Sequence, residues 1–139
     1  MQKGQISLDL ILTMIIALII IGSFSIIITD FKSNQETRLA KEQLDLIGQN
    51  TASLLNTAQV LDGKFVIETT ISKIRFSDSN GNTVSSYPNL TIISDKNILN
   101  TSIMINGNLL DSNFRINKTG TKLDTNSLGL LGKIVITNE

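Results

Sequence analysis

The chain has 139 residues, 41% of them apolar, with twelve Lys plus Arg against twelve Asp plus Glu, no His and no Cys. The even charge, without a basic cluster or interleaved aromatics, excludes a nucleic-acid surface. The missing His and Cys exclude a zinc centre of the usual type, a thiol nucleophile, a Ser-His-Asp triad and a disulfide framework.

The apolar residues are unevenly spread: fifteen fall within positions 10–29, whereas the 110 positions after them hold 39. Positions 10–29 read LILTMIIALIIIGSFSIIIT, uncharged between Asp9 and Asp30. Twenty residues at a rise of 1.5 Å make about 30 Å, the hydrocarbon thickness of a bilayer, which predicts a membrane-spanning helix. Nine Ile would serve a helix poorly in water. In lipid, an unpaired backbone group costs several kcal/mol, which removes the non-helical alternatives. A cleaved secretory signal fits poorly despite Lys3 and the Ser23-Phe24-Ser25 pattern. The apolar run is too long, and cleavage there would leave Ile26-Ile27-Ile28 at the new terminus. Lys3 lies on one side of the run and Lys32, Arg38 and Lys41 on the other, so a plain count of basic residues points the wrong way for a secreted head; it carries little weight, because the N-terminal tail is very short and those residues sit among Asp30, Glu36, Glu42 and Asp45.

Positions 30–63 contain no Pro, and Ala40, Leu44, Ile47, Thr51, Leu54, Ala58 and Leu61 recur at spacings of four and three, one face of a helix. Glu36, Arg38, Lys41, Glu42 and Asp45 form the opposite face, and Asp62-Gly63 reads as a C-terminal stop. The helix is expected to continue out of the membrane, from about residue 8 to 61, with Gly48 as a site for a kink or interruption. From residue 64 the period shortens. Phe65, Ile67 and Ile71 share one phase and Ile74 and Phe76 the other, which predicts a strand broken near Ser72. Asn80-Gly81 and Asn106-Gly107 read as hairpin turns, and residues 90–94, 102–105 and 133–137 as strands. The predicted fold is α+β: a long N-terminal helix, first transmembrane (5–29) and then amphipathic (30–63), packed on a small antiparallel β-sheet head (64–139). A head of 76 residues is small for an independent core, so the stripe from Ala40 to Leu61 is expected to complete it.

The residues in front of the apolar run are specific. Lys3-Gly4-Gln5-Ile6-Ser7-Leu8-Asp9 resembles the start of archaeal type IV pilin precursors with class III signal peptides, in which a basic residue and Gly precede Gln-x-Ser-x-Glu. The chain departs from that pattern at Asp9, where the family usually has Glu. The resemblance implies that a prepilin peptidase, a membrane aspartyl protease, recognises Lys3, Gly4 and Gln5 and cuts between Gly4 and Gln5. Residues 1–4 are then the leader. It implies an assembly role for Gln5, Ser7 and Asp9, the Asp9 carboxylate meeting the new N-terminal amine of a neighbouring subunit. It further implies identical or related pilin subunits as partners, along with an assembly platform and its ATPase machinery. The precursor would sit in the membrane with its N-terminus cytoplasmic and its head outside, and the product would be a cell-surface filament for adhesion or surface contact. Taken alone, Asp9 reads better as a first-turn carboxylate that complements the helix dipole, and the Lys-Gly-Gln-x-Ser context is what favours the assembly role.

Other motifs give way to plainer readings. Asn89, Asn100 and Asn117 each open a glycosylation acceptor triplet, but about three such matches follow from the Asn, Ser and Thr content alone. In Asp78-Ser79-Asn80-Gly81-Asn82 the Gly stands at the fourth position instead of the sixth, so a turn is expected and not a calcium loop. Ser127 stands where a phosphate loop ending in Gly132-Lys133 would need Gly. Asp62, Glu68, Asp78, Asp95, Asp111 and Asp124 show no spacing that predicts a catalytic carboxylate pair. No cofactor or enzymatic activity is expected. The alternative reading is a signal-anchored membrane protein whose head is an extracellular binding module and which never polymerises.

Overall fold

The computed structural model describes residues 2–60, 65–78, 81–117, 121–126, 128 and 132–138. The fold is α+β. Among the described residues, one helix, α1 (Gln2–Val60), precedes eight strands: β1 (Phe65–Thr70), β2 (Ile74–Ser77), β3 (Thr83–Ser86), β4 (Asn89–Ile93), β5 (Ile98–Ile105), β6 (Asn108–Arg115), β7 (Thr121–Asp124) and β8 (Lys133–Asn138). The chain divides into two compact units, Met1–Gln35 and Glu36–Glu139.

The first unit is helical, and every described side chain in it, residues 8–35, is exposed. Its hydroxyls turn back onto the helix. Thr13 donates to the Asp9 carbonyl at 2.7 Å, Ser23 to Ile19 at 2.8 Å, Ser25 to Ile21 at 3.1 Å and Thr29 to Ser25 at 2.9 Å. Each bond satisfies the hydroxyl within the segment, which removes much of the cost of placing it in lipid.

In the second unit the rest of α1 buries a stripe against the sheets. Ala40, Leu44, Gly48, Thr51, Ala52, Leu55 and Ala58 are buried. The expected face is therefore shifted by one residue toward its C-terminal half: Leu55 carries the core, while Ile47 and Leu54 are half-buried. Leu61 and the Asp62-Gly63 stop lie outside the described residues. The expected all-solvent charged face needs correction too. Arg38 and Glu42 pair with each other in solvent at 3.1 Å, and Lys41 lies 3.8 Å from Asp45. Lys41 donates to the Asp111 carbonyl and to Ser112 Oγ, Ser112 Oγ donates to Asp45, and Ser77 Oγ donates to Glu36 at 2.9 Å. These polar bonds tie α1 to β6 and β2.

The helix runs through Gly48, the weak point in the sequence, without interruption. This glycine serves close packing. A Cβ on it would overlap three carbons of the Phe114 ring, which lies directly on the helix backbone. Overpacking costs about 1–3 kcal/mol, against about 1 kcal/mol gained in helix propensity. Gly48→Ala is therefore expected to destabilise the second unit by up to about 2 kcal/mol. In a Phe114→Ala background the same change should stabilise instead, a reversal that urea unfolding of the four variants would measure.

The expected single sheet is three antiparallel sheets, ordered β1-β8-β7, β2-β3 and β4-β5-β6. The phase change near Ser72 marks the step from β1 to β2, which belong to different sheets. Asn106 (φ 50°) and Gly107 (φ 80°) form the two-residue turn between β5 and β6, closed by the pairing of Ile105 with Asn108. Both positive φ values match the turn type whose twist suits a hairpin, which explains the Asn-Gly pair. Between β2 and β3 the connection is longer. Asp78 Oδ1 accepts the Asn82 N–H at 2.8 Å and Gly81 has φ 81°, while Asn80 lies outside the described residues. Three buried clusters fill the unit: Ala52, Leu55 and Ala58 with Leu99, Ile116 and Ile136; Ala40 and Leu44 with Ile74, Ile103 and Ile105; and Ile71, Leu90, Leu128 and Ile134. Two of the three include buried residues of α1, and Ile47 of α1 packs against the third.

Candidate functional site

The most unusual chemistry on the molecule is the first unit's surface. Leu10, Ile11, Leu12, Met14, Ile15, Ile16, Leu18, Ile19, Ile20, Ile21, Phe24, Ile26, Ile27 and Ile28 are all between 49% and 68% exposed. Residues of this kind are ordinarily inside, and a continuous apolar helix surface of this size requires a non-aqueous neighbour. By length and composition α1 is able to cross a membrane.

The residues predicted to govern processing and assembly lie on the first turns of α1. Lys3, Gly4, Gln5 and Ser7 are helical in backbone, and their side chains lie outside the described residues. Asp9 is exposed, one turn beyond Gln5, and accepts the Thr13 hydroxyl at its carbonyl oxygen. In the sequence Asp9 stands at the boundary between the polar start and the apolar run.

The three acceptor asparagines have different surroundings. Asn89 is exposed at the start of the edge strand β4. Asn100 sits in the central strand β5, where its amide donates to Asn113 Oδ1 across the β5–β6 pair at 2.9 Å. Asn117 follows β6, exposed, and its backbone N–H donates to Asn56 Oδ1 at 2.8 Å. The Lys118 and Thr119 of that triplet lie outside the described residues.

Several head carboxylates are engaged locally. Asp78 holds its own turn, Asp124 Oδ1 accepts the Asn126 N–H at 2.8 Å, and Glu68 lies 3.9 Å from Lys133 Nζ. Asp111 and Asp95 are exposed, and Asp62 lies outside the described residues. Among the described residues, no three His, Cys, Asp or Glu side chains gather around a common point. Sequence reasoning missed the contacts that seat α1, above all Lys41 and Asp45 on Ser112. The partners are some 70 residues apart, and no periodicity links them.

The resulting layout is pilin-like: an apolar N-terminal helix that suggests membrane association or secretion, continued into a helix packed on antiparallel sheets. Comparison with known proteins finds no matching family model, no matching curated protein and no matching solved structure.

Proposed function

We propose that the chain is the precursor of an archaeal type IV pilin-like subunit, trimmed by a membrane aspartyl prepilin peptidase between Gly4 and Gln5 and polymerised into a surface filament. The role is structural, without catalysis or cofactor. One observation carries the reading. The second unit has its own three clusters, so the apolar surface of residues 10–29 belongs to none of them and is left for lipid or other subunits. The Lys3-Gly4-Gln5-x-Ser7-x-Asp9 start supports polymerisation over simple anchoring.

The physical basis is a change of solvent. In the precursor, lipid covers the apolar helix; in the filament, the same surface is covered by the helices of identical or related subunits, gathered by the assembly platform and its ATPase. The head, facing water, would make adhesive or surface contacts. Gly4→Val tests this reading directly. It is expected to leave membrane insertion intact while blocking trimming, so that untrimmed protein accumulates in the membrane and filaments disappear. Normal filaments from Gly4→Val cells would refute the processing step, and an anchored protein that never enters filaments in the unmodified strain would favour the non-polymerising anchor.

A further inference from the structure

Strands β4, β5 and β6 are paired in register, so side chains that alternate along each strand line up in rows across the sheet. Leu90, Leu99 and Ile103 point inward and are buried, which assigns the residues between them to the outer face. Two adjacent rows of that face are wholly polar: Asn89, Ser102 and Asp111 in one, Thr91, Asn100 and Asn113 in the next. An apolar row borders the band on each side. Met104 pairs with Leu109 toward the β5–β6 turn, and Ile93 pairs with Ile98 toward the other end.

The polar band works against the sheet that carries it. Asn and Asp are depleted in strands, where β-branched and aromatic residues fit best, yet four of these six residues are Asn or Asp. One of them, Asn100, stands in the central strand. A local rule broken without gain to the fold marks a functional surface. The amides are also ordered. Asn100 Nδ2 donates to Asn113 Oδ1 at 2.9 Å, and among the described residues Asn100 Oδ1 and Asn113 Nδ2 make no further hydrogen bond, so an acceptor and a donor stand side by side. The side chains of Asn89, Thr91, Ser102 and Asp111 make none either among the described residues.

The chemistry of the band selects its ligand. Asp111 is its one charged residue, so it offers nothing to phosphates of nucleic acid or to anionic lipid. It lacks the aromatic and apolar centre of a protein interface. What it presents is a grid of neutral donors and acceptors, spaced about 4.8 Å across the strands and about 7 Å along them. Sugar hydroxyls, which both donate and accept, match such a grid, and the C–H faces of sugar rings match the bordering apolar rows. We propose that the outer face of β4-β5-β6 binds a neutral polysaccharide. Asn89, Asn100, Asn113 and Asp111 hydrogen-bond its hydroxyls, and Met104 and Leu109, 59% and 61% exposed, support its rings. This names the ligand class for the adhesive contact of the head and rests on the reading of the head as the part that faces the surroundings. Repetition of the face along a filament multiplies a weak single contact.

The test uses the full chain, purified in a detergent without a sugar headgroup and sedimented with microcrystalline cellulose or with chitin. The unmodified chain is expected to sediment with at least one of them. The double variant Asn100→Val/Asn113→Val is expected to bind about tenfold more weakly or worse, while Ser85→Val, at an exposed position of β3, binds as the unmodified chain does. Because Val suits a strand better than Asn, the double variant should unfold at a urea concentration no lower than the unmodified chain. Lower stability would mean that the amides serve the fold, and it would overturn the proposal. Absence of binding to both polysaccharides, or undiminished binding by the double variant, overturns it as well. So does extra mass on the native protein that Asn89→Gln or Asn100→Gln removes, since the face would then carry a glycan instead of binding one. None of these measurements depends on trimming at Gly4 or on polymerisation, so the precursor reading stands or falls separately.

Discussion

A fragment of residues 64–139 is expected to be unfolded or aggregated, whereas one of residues 30–139 is expected to be a soluble, cooperatively folding monomer. The shorter fragment loses Ala40 and Leu44 from one buried cluster and Ala52, Leu55 and Ala58 from another, leaving Leu99, Ile74, Ile103, Ile116 and Ile136 facing water. It also loses Lys41, Asp45 and Glu36 as partners of β6 and β2. Domains of this size have net stabilities of only about 5–15 kcal/mol, and truncating a single buried Leu typically removes 2–5 kcal/mol. Removal of the whole helix face therefore exceeds what the sheets can sustain. Within the longer fragment, Leu55→Ala, at a fully buried position, should cost about 2–4 kcal/mol in urea unfolding. A stable monomer from residues 64–139 would mean that the helix is not part of the core.

Asp9→Ala is expected to insert and be trimmed normally, and yet to leave cells with few or no filaments. At an interface between apolar helices, a carboxylate that meets the amine of Gln5 on an adjacent subunit interacts in low dielectric, where a close charge pair is much stronger than in water. An unpaired carboxylate at the same place is costly. Because Gln5 and Asp9 are one turn apart, a contact within one chain competes with the contact between chains. Assembly separates the two, since an intrachain pair affects the helix start alone. Asp9→Glu, which restores the residue usual in the resembled family, should assemble at least as well as the unmodified chain. Filaments of normal number and length from Asp9→Ala would reduce the carboxylate to a helix-start residue.

Much of this architecture was legible in the sequence because single strong signals carried it. The uncharged run 10–29 and the stripe beyond it predicted one long helix, and Asn106-Gly107 predicted its hairpin to the residue. Strand 133–137 was short by one residue, and the break near Ser72 was read from a change of phase. The failures share a cause: pattern cannot reveal what tertiary contact supplies. Strand β5 was expected only from Ser102, because buried Thr101 interrupts an alternation that begins at Leu99. Strand β3, Thr-Val-Ser-Ser and wholly exposed, has no apolar face to read. Gly48 signals flexibility in a sequence, and only Phe114, 66 positions later, shows that the position demands the absence of a side chain. Lys41 and Asp45 looked like solvated charges until Ser112 was found between them. At the candidate site, Gly4, Gln5, Ser7 and Asp9 were singled out by the motif alone.

The most direct measurement of the central claim is the intact mass of the chain recovered from its native membrane or surface. The account predicts a polypeptide that begins at Gln5, with residues 1–4 removed and with or without loss of ammonia from cyclisation of the new N-terminal Gln. A mass that retains residues 1–4 in the surface-exposed or filament fraction would contradict it.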